Sequence, residues 1–317
     1  MKDSFYIREG LIVRSTRQEG NILVYDPPTE EEKQELLKSL HLDQHALESA
    51  IDPDEISRVE FTPECLFIIW KRPNNVSFKQ LLKFEVSSIG FLLKQDRLTI
   101  ILGEITIPFE SKEFHGIKST MDVVLKFMLH TTHHFLSHLK IIRQLAGELQ
   151  IKLNASMENR YLLQMFNLVE SLIYYLNALE ANASALTKLR ANVDKIGLST
   201  EQVEVLDDII IEHQQCCKQA QIYSSVLSGL MDARGTIINN NVNVLLRNLT
   251  LINVVFLPLN LIASVGGMSE YTMMTEGTVN WKVAYSLFLL GMLVLGVLTW
   301  VTLVMQISRN KLNGITK

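Results

Sequence analysis

The stretch LTLINVVFLPLNLIASVGGMSE, Leu249 to Glu270, is apolar enough for hydrocarbon yet carries polar side chains at regular intervals. These belong to a longer series. Asp232, Thr236, Asn239, Asn243, Leu246, Thr250, Asn253, Leu257, Asn260, Ser264 and Gly267 follow one another at alternating steps of four and three. Such steps trace one face of a helix at the 3.5-residue period of a supercoiled bundle. Within the apolar stretch that face is polar or small except at Leu246 and Leu257, while the remainder is mostly Leu, Ile, Val and Phe. An unsatisfied amide in hydrocarbon costs several kcal/mol, so the face meets a partner or water. Two readings follow. Asn and Ser can join helices, at about 1–2 kcal/mol each or less. Alternatively, the face lines a water-filled path in a symmetric oligomer, with Leu246 and Leu257 as apolar rings that block ions by dewetting. A stripe that runs the full depth and continues below the membrane favours the path. Asp232, at its lower end, would then form a ring of carboxylates that concentrates cations ahead of Asn243.

Two membrane spans frame this stripe. Residues 248–269 carry no charge, and neither do residues 283–308. Each run exceeds the ~20 residues that cross ~30 Å of hydrocarbon as a helix. Arg247 precedes the first span, and Arg309, Lys311 and Lys317 follow the second. The connecting loop from Glu270 to Trp281 carries Glu270 and Glu276 and no base, so both termini are expected in the cytoplasm and the loop outside. Trp281 and Tyr285 at one end of the second span, with Trp300 nearer the other, suit interfacial anchoring. Upstream, Ser199 and Gln202 form a capping-box signature, and from there to Gly266 the only proline is Pro258. A continuous helix over that length would reach roughly 100 Å, mostly as a cytoplasmic stalk. Pro258 removes one backbone hydrogen bond within the span.

The bulk numbers exclude several classes. The chain has 317 residues and a formal net charge of −4, which gives no footprint for nucleic acid. The opening MKDSFYIREGLIV does not read as a secretory signal. Cys65, Cys216 and Cys217 give no disulfide framework and fit reduced cytosolic thiols. No glycine-rich phosphate loop, nucleophile elbow or Cys-x-x-Cys is present, so the chain does not read as an enzyme.

The cytoplasmic half reads as mixed α and β. CLFIIWKRP, LKFEVSSIGFLLKQ and RLTIILGEITIPF predict strands, while TEEEKQELLKSLHL (capped by Thr29) and DQHALESAIDPDE predict helices. Residues 118–195 read as helical, with a break at Lys195–Gly197. In LHTTHHFLSHLK, His130, His134 and His138 recur at i, i+4 and i+8 beside His133. That spacing either chelates Zn²⁺ or Ni²⁺, or presents ordinary polar residues to solvent or a subunit surface.

The stretch Leu249–Glu270 resembles the CorA family of divalent-cation channels and transporters, which includes ZntB-type zinc transporters. Leu249, Thr250, Phe256, Pro258, Leu259, Ile262, Ala263, Gly267 and Met268 fit the family pattern. The resemblance implies a homopentamer with a funnel-shaped α/β cytoplasmic domain and an inner ring formed by the first span. It also implies that the motif at Gly267, Met268 and Ser269 meets the hydrated cation at the outer mouth, flanked by Glu270 and Glu276. Ser269 stands where the family has Asn, and Gly266 where it has Tyr. A serine hydroxyl reaches less far and replaces an amide carbonyl, which leaves open Mg²⁺, Zn²⁺, Ni²⁺ or Co²⁺ as the transported ion. By analogy with the family's acidic sites between subunits, Asp208, with Asp207, would complete a regulatory divalent site.

The resulting expectation is an α+β cytoplasmic domain, a long stalk helix and two transmembrane helices in the cell (inner) membrane. It divides the chain into 1–117 (α/β), 118–196 (helical hairpin), 197–244 (stalk), 245–268 (pore span), 269–282 (outer loop), 283–307 (second span) and 308–317 (cytoplasmic tail). The expected partners are other copies of the chain, membrane lipid and divalent cations, with no prosthetic group. Proton-coupled zinc carriage and a non-conducting divalent-ion sensor are the alternatives.

Overall fold

The computed structural model describes residues 2–15, 20–40, 44–62, 65–74, 83–103, 109, 111–155, 158–267, 273 and 280–313. They form two compact units, Met1–Met231 and Asp232–Lys317.

The first unit is built on a seven-stranded sheet. Its strands are β1 (Lys2–Arg8), β2 (Leu11–Arg14), β3 (Ile22–Tyr25), β4 (Arg58–Phe61), β5 (Leu66–Pro73), β6 (Val86–Lys94) and β7 (Arg97–Leu102), in the order β2-β1-β3-β7-β6-β5-β4. All neighbours are antiparallel except β3 and β7, which run parallel. The β1–β2 hairpin turns through Glu9 and Gly10, both at positive φ (51° and 78°), the mirror-image turn that matches strand twist. β5 is buried along its whole length, as a strand covered on both faces must be.

One face of the sheet, with Tyr25, Phe67, Ile69, Leu92 and Ile101, packs against α1 (Glu30–Leu40) and α2 (Gln44–Ile51) through Leu36, Leu47 and Ala50. Gly90 permits this close approach, since a Cβ there would lie 2.6 Å from the Ala50 Cβ. α1 begins with the expected capping box. The Glu32 N–H donates to Thr29 Oγ1 at 3.3 Å, and the Thr29 N–H donates to the Glu32 carboxylate at 2.9 Å.

The other face, with Ile68, Trp70, Phe91 and Ile100, packs against the ends of three long helices. These are α3 (Thr120–Ala155), α4 (Asn159–Arg190) and, after the short α5 (Val193–Ile196), α6 (Thr200–Gly266). Away from the sheet the three make their own core: Phe135, Leu139, Ile142 and Leu149 of α3, Leu168, Leu172, Tyr175 and Leu179 of α4, and Cys216, Ala220 and Leu227 of α6. Their steps of three and four mark supercoil-type packing. Gly197, at φ 76°, ends α5 in the left-handed conformation. Ser199 and Gln202 then cap α6 reciprocally, at 3.0 and 3.2 Å. The second unit holds the rest of α6 and α7 (Trp281–Asn313).

A buried amide joins α4 to the sheet. Asn182, fully buried, accepts from the Lys71 N–H at 2.9 Å and the Ser57 hydroxyl at 2.7 Å, and donates to the Lys71 carbonyl at 2.8 Å. Asn182→Leu leaves both backbone groups of Lys71 at that point unpaired, and thermal or urea unfolding is expected to show a loss of about 2–4 kcal/mol.

Candidate ion pathway

Every position of the polar stripe from Asp232 to Gly267 is exposed within the single chain. The covered positions of the first apolar segment are Leu251, Val255, Leu259, Ile262 and Gly266. At about 100° per residue this set lies about 180° from the stripe. On α7 the less exposed positions are Ala284, Phe288, Met292, Gly296, Thr299 and Leu303, again at steps of four and three. The faces meet at two points: the Phe288 ring rests on Gly266, and Leu259 rests on Gly296. α6 therefore spends its apolar face on α7 and leaves its polar face unpaired.

The side chains on that free face bear this out. The Thr236 and Thr250 hydroxyls donate back to the Asp232 and Leu246 carbonyls at 3.1 and 2.9 Å. Among the described residues, the Asn239, Asn243, Asn253 and Asn260 amides have no hydrogen-bond partner. Adhesion between the chain's own two spans is thereby excluded as their role. α6 stays helical through Pro258 to Gly266, and the Gly267 N–H closes it on the Ala263 and Ser264 carbonyls at 3.0 and 3.3 Å. Met268, Ser269, Glu270 and Glu276 lie outside the described residues.

The histidines expected on one helical face are held in different ways. His130 Nδ1 pairs with one Glu113 oxygen at 2.5 Å, and His133 Nδ1 with the other at 2.8 Å. His133 Nε2 reaches Glu212 of α6 at 2.7 Å. His134 and His138 instead turn into the bundle, edge to face at 4.4 Å, with His138 Nδ1 2.6 Å from the Tyr175 hydroxyl. Burial, reinforced by nearby positive charge, pushes the pKa of each down to about 4, so both are neutral. Asp207 receives Arg190 in a two-pronged pair at 2.6 and 3.1 Å, and Asp208 is exposed. Among the described residues, no group of three or more His, Cys, Asp or Glu side chains is arranged to hold a metal ion. Glu113 and Glu212, the actual partners of this face, were not singled out from the sequence. They lie 17 to 79 residues from the histidines they bind, and no local spacing announces them.

The apolar character of both segments meets the length and composition of membrane spans: hydropathy is 1.9 within Thr200–Gly266 and 2.5 over Lys282–Met305. A sequence model described as CorA-like Mg²⁺ transporter protein matches residues 18–305. The chain belongs to this family. The cobalt/magnesium transport protein CorA of Methanocaldococcus jannaschii is 25% identical over 254 residues, covering 77% of this chain and 78% of that protein. The complete structure of the CorA magnesium transporter from the same organism superposes with a TM-score of 0.72 at 18% identity, covering 97% of this chain and 96% of that one. The ZntB cytoplasmic domain from Vibrio parahaemolyticus gives 0.59 at 11% identity, covering 75% and 98%. At these identities the two structures establish the fold: an α/β unit, long helices and two candidate spans, as expected of a CorA-like chain.

His133 supplies a pH test of the first unit. Burial opposes its charge, but hydrogen bonds and charge from Glu113 and Glu212 outweigh this and raise its pKa above 6.5. A neutral imidazole has one N–H and cannot donate to both carboxylates. Its contribution is therefore complete below pH 6.5 and is lost as pH rises through the raised value. His133→Gln is expected to lower thermal stability at pH 6 and to have little effect at pH 9. The size is about 1 kcal/mol or less, because the side chain is 40% exposed. An equal effect at both pH values would exclude the charged clasp.

Proposed function

We propose that this chain carries divalent cations across a membrane through a homopentameric pathway lined by the polar stripe of α6. The carrying observation is that the stripe lies opposite the face covered by α7, with its amides unpaired. One chain with two spans encloses nothing, so several copies must supply this face. Family membership supports the same reading, since the family model is that of an Mg²⁺ transporter and the M. jannaschii relative is named for cobalt and magnesium.

In this reading the spans are 245–268 and 283–307, both termini are cytoplasmic, and the loop 269–282 faces outward across the cell (inner) membrane. Asp232 gathers cations at the inner end. Asn239, Asn243, Thr250, Asn253, Asn260 and Ser264 offer oxygens to the hydration shell, and Leu246 and Leu257 are the dewetting rings. Gly267, Met268 and Ser269 form the outer mouth, with Glu270 and Glu276 beside it. Mg²⁺ releases water reluctantly, so a filter of amide and hydroxyl oxygens contacts the hydrated ion rather than stripping it. Ser269 presents a hydroxyl where the family has an amide, which favours an ion that sheds water more readily, such as Zn²⁺, and leaves Ni²⁺ and Co²⁺ open. The likeness to a ZntB cytoplasmic domain gives proton-coupled zinc carriage second place. The regulatory site at Asp208 with Asp207, or among His130, His134 and His138, would need groups from a neighbouring copy.

In proteoliposomes, Asn260→Leu and Asn243→Leu are each expected to cut divalent-ion flux at least about tenfold while the oligomer persists, as an apolar ring replaces a hydrated one. Unchanged flux in both variants would remove the pore assignment. Ser269→Asn is expected to shift the Mg²⁺ share of flux upward relative to Zn²⁺, Ni²⁺ and Co²⁺. Zinc uptake that responds to an imposed pH gradient would favour the carrier reading.

A further inference from the structure

The two contacts between α6 and α7 form a reciprocal interlock. A Cβ built on Gly266 would lie 2.4 Å from the Phe288 Cζ and 2.9 Å from both Cε atoms. Real Cβ atoms do not approach that closely, so the ring tip of Phe288 occupies the place of a side chain at position 266. At the other contact a Cβ on Gly296 would lie 3.2 Å from Leu259 Cδ1. Gly266 and Leu259 are seven residues apart on α6, or roughly 10 Å along its axis. Phe288 and Gly296 are correspondingly spaced on α7, in the reverse order, so the two helices run antiparallel with one knob from each.

The position of the upper knob gives it a role. Gly266 is the last residue of α6, and Gly267 beside it is the last member of the polar stripe. With the Phe288 ring in this place, no side chain fits at position 266 unless the ring moves. Because the covered face is opposite the stripe, anything inserted between Gly266 and Phe288 drives the end of α6 toward the stripe side. Anything removed from Phe288 lets it retreat.

We infer that Phe288 is the positioning residue for the outer end of the pathway: seated on Gly266, it sets how far the end of α6 stands from the pathway axis. The inference rests on the stripe lining that pathway. Phe288 touches no ion. It acts through the backbone at Gly266 and Gly267, and the ring can leave the notch only by giving up that contact.

A double-substitution cycle on the full-length protein in liposomes tests this, with Gly266→Ala, Phe288→Ala and both together. Gly266→Ala is expected to lower flux about fivefold or more, by overpacking. Phe288→Ala is expected to keep flux but to narrow the difference between Mg²⁺ and Co²⁺. The double variant is expected to return toward the unsubstituted flux, because the added methyl then has room. A second readout needs no transport. Reaction of a membrane-impermeant thiosulfonate with Gly267→Cys, applied from outside, should slow about fivefold with Gly266→Ala and recover with both substitutions. Additive effects in the cycle, or a labelling rate indifferent to both positions, overturn the inference even if ions flow. Absence of divalent flux from the unsubstituted protein would instead remove the transport reading, while the labelling cycle still decides whether Phe288 positions the end of α6.

Discussion

Hydrocarbon cannot satisfy an amide, and α6 takes Asn253 and Asn260 into a segment otherwise fit for lipid without a partner among the described residues of its own chain. That constraint orders the rest of the molecule. The covered face of α6 is already committed to α7 through Leu259 and Gly266, so the amides cannot turn inward on the same chain. Their remaining recourse is water or a second copy. In the proposed assembly several copies bring this face to one axis, and each helix is held from the opposite side. The second span fills that place.

The same division of faces extends down the helix. In the first unit the buried positions of α6 include Leu206, His213, Ala220 and Leu227, each seven residues from the next. In the second unit Val255 and Ile262, again seven apart, are covered, whereas Asn241 and Asn248 between the two sets are exposed. The stripe follows its own sevens, Asp232, Asn239, Leu246, Asn253, Asn260 and Gly267, half a period away. A straight 3.6-residue helix would let a face drift by about 20° per heptad, so the unbroken sevens of the stripe suit a supercoiled bundle. Within each unit the helix thus has a packing side and a free side.

What could be read from sequence follows from how local the signals are. The stripe, the two apolar runs and the caps at Thr29 and Ser199 depend on neighbours within a few residues, and each was legible. The sheet was legible in part. β5, β6 and β7 announce themselves by apolar, β-branched runs, whereas β1 and β2 are short, half-exposed and mixed in composition. The parallel pairing of β3 with β7 joins residues about 75 positions apart, such as Ile22 and Leu98, and no local pattern encodes it. The histidine face shows the limit most plainly. Spacing of i, i+4 and i+8 suggested a chelate, but on a helix wrapped by two others the same spacing points toward a core. His138 goes to Tyr175, and only His130 and His133 meet carboxylates.

The outer end of α6 brings these strands together. A side chain that projects from a pore helix toward its packing side must compete for space with the second span, and only one of the two can supply the bulk. In this chain the bulk comes from Phe288, so the backbone at Gly266 is stripped to a hydrogen atom and the helix end is positioned from outside its own sequence. Two changes from the family pattern, Gly266 for Tyr and Ser269 for Asn, therefore act on different terms. In the proposed pathway the first bears on where the end of the helix stands, and the second on which oxygen is offered to the ion. A hydroxyl with a shorter reach contacts a hydrated ion only if the ring that carries it stands closer to the axis. The placement of α6 by Phe288 is the means by which this chain can make that adjustment.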